Sequence, residues 1–209
     1  EYHETAIAES KRPNTPLTVA EDGGDTFVLS SRDLCMIEHI PELLNAGVAS
    51  LKIEGRVKSA YYTAVTANAY RMALDACAHG EKYDPAWLAE LCSVSHRAYD
   101  TGFFFTPPHE NANLVSEPGY IREKAYLAAA LSDSDEHGRA LFVQRNKLSA
   151  GDALELLTPG RCGIPFTGDE MQSEDGEPIP SAPHPMMRFT MRTSVPVRAG
   201  DIIRAGGER

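Results

Sequence analysis

Apolar residues recur at helical spacing through Leu34, Ile37, Ile40, Leu43 and Leu44, and the run stops at Gly47. That spacing predicts a helix from about Asp33 to Asn45, closed by a glycine that can take the left-handed C-cap conformation. Ala49 to Ile53 predicts a short strand with Lys52 and Glu54 on one face, before the Glu54-Gly55-Arg56 turn. Ser59 fits as the N-cap of a long helix to Ala78, with Ala64, Val65, Ala69, Tyr70, Met72, Ala73, Leu74 and Cys77 on its buried face. Asp84-Pro85 opens another helix, Asp as cap and Pro at the first helical position, running through Trp87, Leu88 and Leu91 to about Tyr99. Upstream, residues 1–25 are polar, contain Pro13, Pro16 and Gly23-Gly24, and read as loop; Thr26 to Leu29 reads as a short strand.

From about Tyr120 the pattern changes to short strands, predicted at Tyr126–Leu131, Arg139–Gln144, Ala153–Leu157, Arg188–Met191 and Ile202–Ala205. Gly/Pro turns separate them at intervals suited to a small antiparallel barrel. Gly151-Asp152 and Gly200-Asp201 precede apolar strands in the same way, as tight turns do. Gly168 to Pro185 has little to bury, which predicts a long exposed hairpin or a partly mobile loop. Thr101 to Ser116, with its three Phe and two Pro, reads as a linker packing across a domain junction. The expected organisation is an α/β part over 1–100, a linker over 101–119 and a β-rich domain over 120–209.

The 209 residues suffice for one large or two small domains, and 42% hydrophobic content is ordinary for a globular protein. No apolar run approaches the roughly 18 residues a membrane-spanning helix needs. The net charge of −10 is uneven: residues 1–119 hold 9 Lys/Arg against 17 Asp/Glu, residues 120–209 hold 11 against 13. An acidic chain is a poor generic nucleic-acid binder, because backbone affinity comes from phosphate neutralisation. An RNA contact needs a local basic patch, and Arg139, Arg145, Lys147, Arg188, Arg192, Arg198 and Arg204 mark the second half as the place for one. The four cysteines, Cys35, Cys77, Cys92 and Cys162, are widely spaced, which fits an intracellular chain without a CxxC metal knuckle. Cys77 and Cys92 read as small buried hydrophobes, and Cys162 carries no legible role.

Three constellations could carry chemistry. Cys35, two residues after Asp33 at the predicted helix start, is either a buried helix residue or a thiolate favoured by the helix N-terminus. Lys52, Glu54 and Arg56 either tie a barrel together or work at its mouth, Arg56 gripping a carboxylate, Glu54 orienting it or exchanging a proton, and Lys58 adding charge. His96-Arg97, near Thr101-Gly102-Phe103, either lines the pocket or docks the second domain. His39 reads as a surface or satisfied histidine. A cysteine protease would need a base histidine, and the only candidate near Cys35 is His39, four residues on along the predicted helix.

The stretch SSRDLCMIEHIPELLNAGVASLKIEGRVKSAYYTA resembles the signature region of the collagenase-like peptidase family (peptidase family U32). SHRAYDTGFFFTPP, GDALELLTPG and VRAGDIIRAGG are also similar to that family. The resemblance implies the C-terminal end of a TIM-like barrel followed by a small antiparallel β-barrel, in a cytoplasmic protein of which this chain is the C-terminal portion. Members associated with tRNA hydroxylation make 5-hydroxyuridine at the wobble position. For that branch the resemblance implies tRNA as partner, prephenate as co-substrate and an iron–sulfur cluster, with Cys35 in SRDLC as one ligand and three cysteines upstream. It also implies Lys52, Glu54 and Arg56 as catalytic candidates, and Arg56, Lys58, His96 and Arg97 as substrate contacts. Quinone hydroxylation is another branch, and the family name implies a peptidase acting on collagen-like substrates as the alternative activity. A third reading is a fragment that only binds.

Overall fold

The computed structural model describes residues 3–22, 25–28, 32–106 and 124–206. They fall into two compact units, one running to Met36 and resuming at His96, the other covering Ile37–Ser95 and the described residues from Lys124 onward. The expected linker over 101–119 lies, from residue 107, outside the described residues.

The first unit contains β1 (His3–Glu9), β2 (Arg12–Asp22), β3 (Asp25–Val28), β4 (Asp33–Leu34) and β5 (Tyr99–Asp100). β1, β2 and β3 form an antiparallel sheet in that order, so the loop expected over 1–25 is corrected to two strands and the start of a third. Thr5, Ile7 and Val19 supply the β-branched residues that a pleated surface favours. Pro13 and Pro16 obscured this, yet the register jumps from Ile7↔Leu17 to Glu9↔Arg12, and both prolines fall inside that irregularity. β4 and β5 pair in parallel, with Asp33 opposite Tyr99 and Leu34 opposite Asp100.

In the second unit a 3-10 turn at Ile37–His39 leads into α1 (Ile40–Asn45), followed by α2 (Ala60–Ala78) and α3 (Ala86–Cys92). The helix predicted from Asp33 therefore starts later. Asp33 and Leu34 belong to a strand, and Pro41 sits in the first turn of α1, where its missing N–H costs nothing. Gly47 closes α1 at φ +83°, its N–H bonded to Leu44 O and that of Val48 to Leu43 O. The strand predicted at Ala49–Ile53 is absent: the segment is irregular, with no described strand paired to it, and a strand's backbone groups need such a neighbour. Ser59 caps α2 as predicted, its Oγ accepting from Tyr62 N–H at 3.2 Å. The buried face of α2 runs through Tyr61, Val65, Ala69 and Ala73, one turn apart. Asp84 Oδ1 accepts from Ala86 N–H at 2.9 Å, but the N-cap of α3 is Pro85, one residue later than expected. α3 nevertheless ends at Cys92 rather than near Tyr99, where its last turn tightens through Ser93 N–H to Glu90 O at 3.1 Å.

The rest of this unit is β6 (Tyr126–Ala130), β7 (Arg139–Gln144), β8 (Leu148–Ser149), β9 (Ala153–Leu157), β10 (Ile164–Thr167), β11 (Asp169–Ser173), β12 (Ser181–Ala182), β13 (Arg188–Arg192) and β14 (Ile202–Ala205). Seven of them form one antiparallel sheet, in the order β10-β9-β14-β6-β7-β13-β11, curled as a half-barrel around Phe142, Phe189, Leu154, Leu156, Met191 and Ile203. The two turns predicted from Gly-Asp pairs share one geometry. Asp152 Oδ2 accepts from Ser149 N–H and Asp201 Oδ2 from Arg198 N–H, both at 2.8 Å, after glycines at φ +85° and +93°. Within Gly168–Pro185 the chain turns back on itself through Ser173 N–H to Glu177 O and Ile179 N–H to Met171 O, with Met171 and Ala182 buried, while β11 and β12 join different sheets. The helices lie on this sheet through Tyr61, Val65, Val94, Leu157 and Ile202, with Tyr61 stacked on Tyr126 at 5.5 Å. The fold is thus mixed α/β with a curled antiparallel half-barrel. Among the described residues no helix is long and apolar enough to cross a membrane.

Candidate functional site

The parallel pairing of β4 with β5 builds the first site. Asp33 N–H donates to Ala98 O at 3.0 Å and Cys35 N–H to Asp100 O at 2.9 Å, which fixes the cysteine backbone. Cys35 is buried and not disulfide-bonded. It lies in the irregular link after β4 and not in a helix, so the thiolate support expected from a helix N-terminus is not present. The same shift removes the one-helix geometry proposed for Cys35 and His39; His39 Nδ1 instead lies 3.3 Å from Glu42 Oε1.

Asp33, not singled out from sequence, organises this site. Its Oδ2 accepts from Arg97 N–H at 2.9 Å and its Oδ1 from Arg97 Nε–H at 3.0 Å. Arg32 Nη1 pairs with Asp100 Oδ2 at 2.7 Å. His96 is only 5% exposed and stacks on Tyr99, with centroids 4.4 Å apart and planes at 6°. Its Nδ1 lies 2.7 Å from Arg97 O, and because a carbonyl can only accept, Nδ1 carries the proton. His96 Nε2 is buried without a hydrogen-bond partner. Cys35 and His96-Arg97, widely separated in sequence, therefore flank one strand pair, Cys35 just after β4 and tied to Asp100, His96-Arg97 just before β5 with Arg97 tied to Asp33.

Lys52, Glu54 and Arg56 lie in the second unit, on the exposed segment between α1 and α2. Glu54 Oε1 accepts from both Arg56 N–H at 2.9 Å and Arg56 Nε–H at 3.0 Å. Those two bonds hold the Glu54 carboxyl below the usual glutamate range. The Arg56 side chain is 88% exposed and open to an incoming anion. Lys58 turns elsewhere, donating from Nζ to Ser95 O at 2.9 Å and lying 5.2 Å from the Tyr62 ring centre.

The basic group that sequence offered to RNA loses one member. Arg204 is 1% exposed and enclosed. Its Nη1 and Nη2 each donate to a Glu90 oxygen at 2.7 Å, its Nε donates to Glu155 Oε2 at 2.8 Å, and Nη1 also reaches Ser93 Oγ at 2.9 Å. Lys124 Nζ closes the network on both Glu155 oxygens, at 2.7 and 2.8 Å. The sequence did carry a signal: Arg204 interrupts the apolar run Ile202-Ile203-Arg204-Ala205, and a buried charge requires a counter-charge.

Among the described residues no three His, Cys, Asp or Glu side chains gather to hold a metal. A four-thiolate cluster site is therefore not made by the described residues.

A family description for peptidase family U32 matches residues 2–114, and one for the U32 C-terminal domain matches residues 122–204. The tRNA hydroxylation protein P of Escherichia coli (strain K12) is 38% identical over 178 residues, 85% of this chain and 39% of that protein. Its namesake in Haemophilus influenzae is 35% identical over 176 residues, 83% of this chain and 38% of that protein. A collagenase of Porphyromonas gingivalis is 26% identical over 137 residues, 64% of this chain and 38% of that protein. The chain thus spans about two fifths of the length of the curated relatives it matches.

Proposed function

The chain belongs to peptidase family U32, and on that premise we propose that its parent protein hydroxylates tRNA, making 5-hydroxyuridine at the wobble position in the cytoplasm. The observation that carries this reading is the 38% identity to a tRNA hydroxylation protein across 85% of the chain. In this proposal the described α/β elements are the end of a TIM-like barrel completed by the rest of the parent. Cys35 is one thiolate of an iron–sulfur cluster whose other ligands lie outside this chain. Such a cluster supplies electron transfer, with its potential set by burial and hydrogen bonding. The fixed backbone and burial of Cys35 support that role.

Arg56, with Lys52 beside it, would hold the carboxylates of prephenate, the guanidinium matching a carboxylate in a two-bond fork. Glu54, already bonded to Arg56, would orient it and yield when substrate arrives. Arg97, fixed by Asp33, and His96, with its open Nε2 acceptor, would contact substrate on the strand pair, and Lys58 would add charge near Ser95. Nucleoside mass spectrometry tests the reading. In a host lacking its own tRNA hydroxylation protein P, the full-length parent should restore 5-hydroxyuridine, and Cys35→Ser or Arg56→Ala should not. Restoration by the Cys35→Ser parent contradicts the ligand role, and no restoration by the parent itself contradicts the activity. The collagenase relative supports a second reading, a peptidase, which predicts cleavage of denatured collagen by the purified parent.

A further inference from the structure

The half-barrel carries two arginines side by side on neighbouring strands. Arg139 on β7 and Arg192 on β13 are direct cross-strand partners, a placement in which like charges repel. Glu170 on β11 bridges them. Its Oε2 accepts from Arg139 Nη2 at 3.1 Å and its Oε1 from Arg192 Nη1 at 2.9 Å, while its own carbonyl accepts from Arg139 Nη1 at 2.7 Å. Glu170 does this from φ +47°, a left-handed backbone that is uncommon for a residue with a side chain. The two guanidiniums and Glu170 line an open cleft with Glu136 and His137. Arg188 continues the row on β13, and every cation on β7 and β13 is an arginine, the residue whose planar fork matches phosphate.

We propose that Arg139 and Arg192 form a two-pronged grip for a phosphate of the RNA backbone, with Glu170 as the internal anion that holds the two guanidiniums apart until a phosphate displaces it. This rests on the reading that the parent acts on tRNA. A bound phosphodiester offers the same pair of anionic oxygens that Glu170 offers now. It also explains how a chain of net charge −10 meets RNA: through a local fork and not through a general field.

The test is fluorescence anisotropy of the 209-residue chain with a labelled anticodon stem-loop of tRNA, titrated at several KCl concentrations. Arg192→Gln should weaken binding by about 5- to 10-fold and lower the slope of log K against log salt by about one. Arg192 is half-exposed, and its side chain is anchored here by Glu170, so this variant should keep its fold, which circular dichroism checks. Glu170→Gln should do the opposite, tightening binding several-fold, because the competing anion is gone. A purely structural ion pair predicts that both substitutions weaken binding alike, and that result overturns the grip. Unchanged binding by Arg192→Gln, beside clear binding by the unsubstituted chain, also overturns it while leaving the tRNA reading in place. Failure of the unsubstituted chain to bind the stem-loop counts against the tRNA reading itself and removes the basis for the grip.

Discussion

Arg204→Met is the most informative perturbation of the fold. The substitution keeps the length and apolar stem of the side chain and removes the cation. It deletes four donor contacts, two of them to Glu90, and leaves the buried Glu90 carboxylate with the Gly163 N–H but without a cation. Glu155 retains Lys124. Breaking a buried ion pair from one side costs about 3–5 kcal/mol, a large share of the ~5–15 kcal/mol that holds a typical domain. With a urea m-value of roughly 2 kcal/mol/M, the midpoint should fall by about 2 M. Trp87, the only tryptophan, lies on α3 beside Glu90 and reports the transition by fluorescence.

The pH dependence of that penalty has a definite sign. In the native chain, burial raises the Glu155 pKa, but hydrogen bonds from Lys124 and Arg204 outweigh it and the net direction is down. Its contribution is therefore present above the ordinary glutamate range of about 4.3 and is lost as pH falls through the lower folded value. Arg204→Met takes one of the two cations from Glu155, so it forfeits part of a contribution that the native chain itself loses as pH falls. The difference between the two chains should be largest near neutral pH and shrink toward pH 4. A loss under about 1 kcal/mol at pH 7, or a penalty that grows on acidification, refutes the counter-charge account. The double variant Arg204→Met/Glu90→Met should lose less than Arg204→Met alone, because it removes the orphaned charge.

Three further outcomes follow from local geometry. Ser59→Ala should destabilise α2 by about 1 kcal/mol in urea unfolding, since the Tyr62 N–H loses its acceptor. Gly138→Ala should cost at least ~1 kcal/mol by the same assay, because Gly138 sits at φ +76° and a Cβ there would meet Thr193 O at 2.9 Å. Asp33→Asn should cost about 1–2 kcal/mol and speed amide exchange at Arg97, whose N–H and Nε–H both donate to that carboxylate.

The β-rich half was the more legible in sequence. Its strands alternate cleanly, as in Arg-Phe-Thr-Met-Arg over 188–192 with Phe189 and Met191 inward, and the Gly-Asp turns announce themselves. The cap of α2 was equally readable, because Ser59 bonds a backbone group three residues away. What failed depended on distant partners. Apolar Ala49–Ile53 looks like a strand, but strand pairing is a property of neighbours, and none of the described strands supplies one. Asp33–Leu34 looked helical from the spacing of Leu34 and Ile37, yet β5, more than 60 residues later, draws it into a parallel pair. The same distance hid the candidate site: Cys35 and Arg97 were legible as single candidates, but the bonds that fix them, Arg97 to Asp33 and Cys35 N–H to Asp100 O, could not be read locally.

The functional account turns on Cys35 as a thiolate ligand. The direct measurement is iron and acid-labile sulfide per protein in the full-length parent, purified without oxygen, beside its Cys35→Ser variant. The account predicts that the parent carries both and that the variant loses them while keeping its circular dichroism spectrum. Equal iron and sulfide in the two proteins, or none in the parent, contradicts it.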